Sequence, residues 1–322
     1  MSWSPPEHRM KRRPPLPTSS GPAGRRAWAG LSLALLAGLV CLSSQTAPRP
    51  DPAATLGEVD SWVYQLQGYP DRLQAIARSG FRLAVVDPSS DGTPAGRWTA
   101  REVQAARRGK LLFAYLSIGE AEAYRGYWRA DWKPGSPPWL VRADPDWPGH
   151  FVVKYWDPAW QATVLAALDD ILAQGFDGAY LDLVDGYDFF PGVRTARRDM
   201  VSWVCTLRAH ARRARPGFLI IAQNASELIR EPGYRSCIDA TAQEETFFRA
   251  TDQPTGAEDR AFGLATYAEY RRRGLPVFSV DYADVPAHVA SAYRSARAAG
   301  LVEYVTNVEL DRLRINAPHD PR

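Results

Sequence analysis

From Val59 onward the chain alternates short apolar runs rich in β-formers with longer amphipathic stretches, repeating the pair until close to its end. The runs are Trp62–Leu66, Leu83–Asp87, Leu111–Ser117, Gly178–Asp182, Phe218–Ala222, Ile238–Ala242, Pro276–Val280 and Leu301–Thr306, eight predicted strands. Between them the predicted helices are Asp71–Ser79, Thr99–Arg108, Pro158–Gln174, Thr195–Ala214, Asp259–Arg273 and Val285–Ala299. In Pro158–Gln174, Asp157 can cap and Pro158 suits the first turn; Trp160, Val164, Leu168, Ile171 and Leu172 share one face before Gly175 ends the helix. Eight apolar strands alternating with helices predict a single α/β domain, a (β/α)₈ TIM barrel over residues 58–313, with 314–322 as a C-terminal tail. A doubly wound sheet would want a Gly-rich phosphate turn after the first strand, and Gln65–Tyr69 offers none. Gly119–Trp156 breaks the pattern: with five tryptophans and five prolines it reads as a long irregular insertion after strand three, folded over the barrel mouth.

The head of the chain follows another logic. Ala27–Leu42 is a run of 16 residues without a charge, preceded by Arg25 and Arg26 and followed by polar SSQT. Residues 1–47 therefore read as a signal peptide or N-terminal membrane anchor, short for a spanning helix, and 48–57 as a linker. The residues before Cys41 (Gly38, Leu39, Val40) argue against a lipidated cysteine. The expected location is secreted or periplasmic, with anchoring by residues 27–42 as the alternative. This segment also accounts for the overall charge of +3: residues 1–47 hold six basic groups and one acid, which leaves 33 basic and 35 acidic residues beyond. A nucleic-acid partner is not expected from so balanced a remainder. Cys205 and Cys237 remain in the exported part, and whether they pair or stay free thiols is open at this level.

In a (β/α)₈ barrel function is built at the C-terminal ends of the strands, so polar residues there carry the weight. Asp182 ends the fourth strand, Asp185 and Asp188 follow on its loop, and Glu244 or Glu245 follows the sixth. Two strand tips separated by one strand can place carboxyls on both sides of a bound bond. One carboxyl kept protonated and one ionised is the arrangement of glycoside hydrolysis. Asp87, Glu120, Glu122, Asp185, Glu245 and Asp281 would make the mouth acidic, and Tyr115, Trp156, Tyr187 and Tyr282 offer planes for sugar rings. The histidines (His8, His150, His210, His288, His319) fall away from the predicted tips, against a His-bound metal or a His-dependent triad, and no G-x-S-x-G occurs. No cofactor or metal is called for.

Five segments, FAYLSIGEAEAYRGYW (Phe113–Trp128), GFDGAYLDLVD (Gly175–Asp185), IIAQNASEL (Ile220–Leu228), AQEETFF (Ala242–Phe248) and GLPVFSVDYAD (Gly274–Asp284), stand in an order and spacing that resembles glycoside hydrolase family 114, the endo-α-1,4-polygalactosaminidase-like barrels. The resemblance spans about Val59 to Leu313. It implies an exported, endo-acting hydrolase of α-1,4-linked galactosamine-containing polysaccharide, with Asp182 and Glu244 as the acid pair and Glu245 as the adjacent alternative. It also implies Tyr115, Glu120, Asn224, Asp281 and Tyr282 as subsite residues. The expected partner is the polysaccharide, with no nucleic acid and a monomeric protein. The rival expectations are a catalytically weak carbohydrate-binding or matrix-associated barrel and a hydrolase of another glycan.

Overall fold

The computed structural model describes residues 56–321; the predicted signal or anchor segment and most of the linker lie outside the described residues. Eight strands form one parallel sheet in sequential order: β1 (Trp62–Gln65), β2 (Leu83–Val86), β3 (Leu111–Ser117), β4 (Gly178–Asp182), β5 (Leu219–Gln223), β6 (Ala240–Glu244), β7 (Val277–Tyr282) and β8 (Val302–Thr306). Around them run α1 (Gln74–Arg78), α2 (Ala100–Ala106), α3 (Pro158–Gln174), α4 (Ala196–Ala214), α5 (Ala257–Arg272) and α6 (Pro286–Ala299). This is the expected (β/α)₈ barrel. At the seam between β1 and β8 the Trp62 indole N–H donates to the Val302 carbonyl at 3.0 Å.

The helix ends follow the sequence signals. Thr99 and Glu102 form a reciprocal capping box at the start of α2, and the Asp157 carboxylate accepts from the Ala159 N–H to open α3. Gly175 closes α3 at φ 96°, a left-handed conformation that glycine adopts without steric cost.

The barrel interior is aromatic. β1 and β4 are not neighbours in the sheet, so the contacts of Tyr180 with Trp62 (centroids 6.3 Å apart) and Tyr64 (4.9 Å) cross the barrel. Phe278 closes on Trp62 from β7, and Tyr64 donates to Gln223 on β5 at 3.1 Å. Because side chains alternate along a strand, these contacts identify the inward set. Tyr115, Asp182, Gln223, Glu244 and Tyr282 therefore stand on the inner face at the C-terminal ends of their strands.

The insertion is more ordered than its composition suggested. Residues Glu120–Glu122, His150–Val153 and Leu140–Ala143 pair as a three-stranded antiparallel sheet with the His150–Val153 strand in the centre. Its tryptophans pack on one another: Trp128 meets Trp132 and Phe151, Trp132 meets Trp139, and Trp139 packs on Trp160 of α3. The aromatic content that marked the segment joins it to the barrel's core through Trp139.

Both ends of the unit extend further than expected. Leu56, placed in the linker, is 1% exposed and packs into the core. The segment read as a tail is docked: the Asn316 amide donates to the Val305 carbonyl at 2.8 Å, and Tyr293 donates to Asp320 at 2.6 Å. Cys205 on α4 and Cys237, in the turn before β6, form a disulfide with Cα atoms 4.7 Å apart.

Candidate active site

Asp182 and Glu244, the last residues of β4 and β6, are held by mirrored devices. Register pairs Ser117 with Asp182, which sets Tyr115, two residues earlier on β3, diagonally below the carboxylate. Its hydroxyl donates to Asp182 Oδ2 at 2.7 Å, and the Leu183 N–H donates to Oδ1 at 2.7 Å. On the other side Glu244 pairs with Val280, so Tyr282 on β7 stands diagonally above and donates to Glu244 Oε1. Asn224 adds a second clamp: its Oδ1 accepts from the Glu244 N–H at 3.2 Å and its Nδ2 donates to Oε2 at 3.5 Å. Diagonal pairs of this kind suit aromatic side chains, which span the longer separation.

The backbone turns sharply at each of these tips. Leu183 after β4 (φ 62°), Asn224 and Ala225 after β5 (61° and 50°) and Glu245 after β6 (56°) are left-handed without being glycine. Such residues cost on the order of 1 kcal/mol or more each and cluster where a site demands them. Three adjacent strands that carry the expected acid pair and its clamp all end this way.

Burial divides the acidic residues of the predicted mouth. Asp182, Asp185 and Glu244 are half-buried and reachable from solvent, whereas Asp87, Glu120, Glu122 and Asp281 are at most 2% exposed. The acidic lining inferred from sequence is therefore largely internal, and its charges are already engaged. Arg125 of the insertion bridges two of them, reaching Asp87 at 2.8 Å and Glu122 at 2.6 Å. Tyr124 donates to Glu122 Oε1 at 2.6 Å, and the Tyr115 hydroxyl lies 3.4 Å from the same oxygen. The Arg125 guanidinium holds the Glu122 carboxyl below its ordinary range against the opposing effect of burial, which is the larger single influence. Glu120 is enclosed beside His150, 3.7 Å away, so that histidine sits behind the mouth although sequence reasoning set it aside.

Three further expected residues take different places. Asp281 faces away from the barrel interior, because its neighbours Val280 and Tyr282 face inward. Its Oδ1 accepts the N–H groups of Phe247 (2.7 Å) and Phe248 (2.8 Å), pinning the loop after β6. Burial beside Glu303 raises both carboxyls, Asp281 to about 6. Glu245 is turned under that loop, accepts from the Ala250 N–H at 3.0 Å, and is pushed by burial up to about 7. Trp156 is half-buried and packs its edge on Phe190, 4.7 Å away, in the loop after β4. Arg125 and Tyr124 were missed by sequence reasoning; the alternation of Glu120 and Glu122 was the available sign that this stretch is a strand with one acidic face.

A cavity of about 260 Å³ lies on the flank of this wall, lined by Pro88, Pro94, Leu116, Glu122, Arg125 and Ile171 among others, and includes neither Asp182 nor Glu244. Among the described residues no group of three His, Cys, Asp or Glu side chains converges as a metal site requires.

The model of glycoside-hydrolase family GH114 matches residues 43–319. An uncharacterized protein of Deinococcus radiodurans is 52% identical over 275 residues, covering 85% of this chain and 88% of its own. Another, from Thermotoga maritima, is 33% identical over 273 residues, covering 80% and 84%. Among solved structures, the glycoside hydrolase domain of PelA from Pseudomonas aeruginosa superposes with a TM-score of 0.62 at 20% identity, covering 80% of this chain and 98% of that one. Aspergillus fumigatus Ega3, in complex with galactosamine, superposes with a TM-score of 0.59 at 20% identity, covering 80% and 93%. At that identity the likeness is one of fold.

Proposed function

The chain belongs to glycoside-hydrolase family GH114 and is a glycoside hydrolase, and from that premise we propose that it is an exported, endo-acting enzyme cleaving α-1,4-linked galactosamine-containing polysaccharide through Asp182 and Glu244. The observation that carries the reading is the mirrored pair: two half-buried carboxylates on the inner face of β4 and β6, each gripped by a tyrosine from an adjacent strand. Two carboxyls at strand tips separated by one strand supply what glycosidic cleavage needs, one to protonate the leaving oxygen and one to act as nucleophile or base. Asp185 on the neighbouring loop, half-buried, adds an acidic group at the mouth, which favours a polymer bearing ammonium groups. Ega3 was solved with galactosamine, consistent with a galactosamine-containing substrate for a barrel of this shape. Export is supported by the apolar run Ala27–Leu42 and by the Cys205–Cys237 disulfide, a bond that persists in oxidising compartments.

The test is a reducing-end assay of the protein from Pro48 onward on partially deacetylated α-1,4-galactosaminogalactan, with chitosan and neutral galactan as controls. Release from the first polymer alone, lost in Asp182→Asn and in Glu244→Gln, is expected. Release from none of the three would remove the proposed substrate class.

A further inference from the structure

We propose that Arg125 is a positioning residue: from its place between Asp87 and Glu122 it holds Tyr115 against Asp182. The proposal rests on the reading of Asp182 as one of the two reacting carboxylates.

Arg125 comes from the insertion, Asp87 from the end of β2, Tyr115 from β3 and Asp182 from β4. The guanidinium spends its fork on two carboxylates: Nε donates to Glu122 Oε2 at 2.6 Å and Nη1 to Asp87 Oδ1 at 2.9 Å, with Nη2 2.8 Å from Asp87 Oδ2. Its Cζ lies over the rings of Tyr124 (4.9 Å from the centroid) and Tyr115 (5.7 Å). A lysine keeps the charge but neither the fork nor the stacking plane. Both carboxylates are buried, and this cation favours their ionised forms against burial, which still leaves Asp87 above its ordinary range while Glu122 lies below its own.

The link to the mouth runs through one proton. Tyr115 has a single hydroxyl hydrogen and two carboxylate acceptors, Asp182 at 2.7 Å and Glu122 at 3.4 Å. Glu122 Oε1 also accepts from Tyr124, so its position decides which carboxylate Tyr115 faces. Arg125 sets that position. Without the guanidinium, the Glu122 carboxylate and the Tyr115 ring both lose the group they pack against. Tyr115 then loses the position that sets its hydroxyl 2.7 Å from Asp182.

The experiment measures kcat and KM separately for Arg125→Lys, Arg125→Gln, Tyr115→Phe and the double variant Arg125→Gln/Tyr115→Phe, and solves the structures of the two Arg125 variants. Expected is a loss of kcat of about tenfold or more in Arg125→Gln with KM within about twofold, part of it recovered in Arg125→Lys, and a double variant no worse than the poorer single. Losses that multiply in the double variant would overturn the proposal. So would an Arg125→Gln structure in which Tyr115 still stands 2.7 Å from Asp182. If Arg125→Gln does not fold, Arg125→Lys carries the same cycle and the same structural comparison. A wild-type enzyme that cleaves no galactosamine polymer would refute the functional reading, while the variant structures would still decide the positioning claim.

Discussion

Replacing Tyr282 by phenylalanine removes one hydroxyl and keeps a ring that is 3% exposed in the barrel mouth. That hydroxyl donates to Glu244 Oε1, and Asn224 Nδ2 donates to the other oxygen at the longer distance of 3.5 Å. Burial and the neighbouring Glu244 raise the Tyr282 hydroxyl well above its ordinary range, so it stays a protonated donor at any working pH. A hydrogen bond to a charged group contributes about 1.5–3 kcal/mol; if it orients Glu244 in the transition state, its loss lowers kcat by roughly 10- to 150-fold. Because Tyr282 acts on the carboxylate rather than on distant sugar units, KM is expected to stay within about twofold. Initial rates of reducing-end release across substrate concentration give both constants, and near-ultraviolet circular dichroism checks that the fold is kept. Unchanged kcat, or a loss confined to KM, would refute the assignment of Tyr282 as the residue that orients Glu244.

Asp182→Asn and Glu244→Gln are each expected to abolish turnover while leaving the thermal transition in place; near-wild-type activity in either would sink the pair. Reducing the Cys205–Cys237 bond, which closes a separation of 32 residues, should lower stability by about 3.7 kcal/mol and Tm by roughly 7 °C, read by calorimetry with and without reductant. A Cβ at Gly119 would overlap the Leu183 carbonyl, so Gly119→Ala should displace the tip carrying Asp182 and cost about 1–3 kcal/mol together with activity, measured as Tm and kcat. Glu245 has a folded value raised to about 7 from 4.5, so the folded state disfavours its ionised form. Stability from this group is present at low pH and is lost as pH rises between those values, up to about 3 kcal/mol. Glu245→Gln should therefore flatten the Tm-against-pH curve over that window and raise Tm at pH 8, and an unaltered curve would show that Glu245 does not titrate there.

How far the sequence could be read is clearest at strands six and seven. The apolar run ending at Val280 set the seventh strand two residues short, placing Asp281 beyond the tip and free to face the mouth. The strand continues through Tyr282, and alternation then turns Tyr282 inward and Asp281 outward to the loop backbone. The sixth strand likewise runs on to Glu244, so the carboxylate stands on the rigid end of the sheet rather than on a loop. Polar residues at these tips do not look like strand, because their environment comes from neighbouring strands rather than from their own segment. In the insertion, tryptophans and prolines hid three strands whose stability comes from aromatic packing between residues far apart in the chain.

The sequence by itself determined the repeating strand and helix order, the caps at both ends of α3, and the carboxylate at the end of the fourth strand with Glu244 or Glu245 after the sixth. These follow from local periodicity and from the backbone preferences of single residues. Only the tertiary structure decided which acids face solvent, which are paired with Arg125, and which tyrosine holds Asp182 and which Glu244. Those outcomes depend on register between strands and on the low-dielectric interior, where a charge is tolerated only beside a partner brought from elsewhere in the chain.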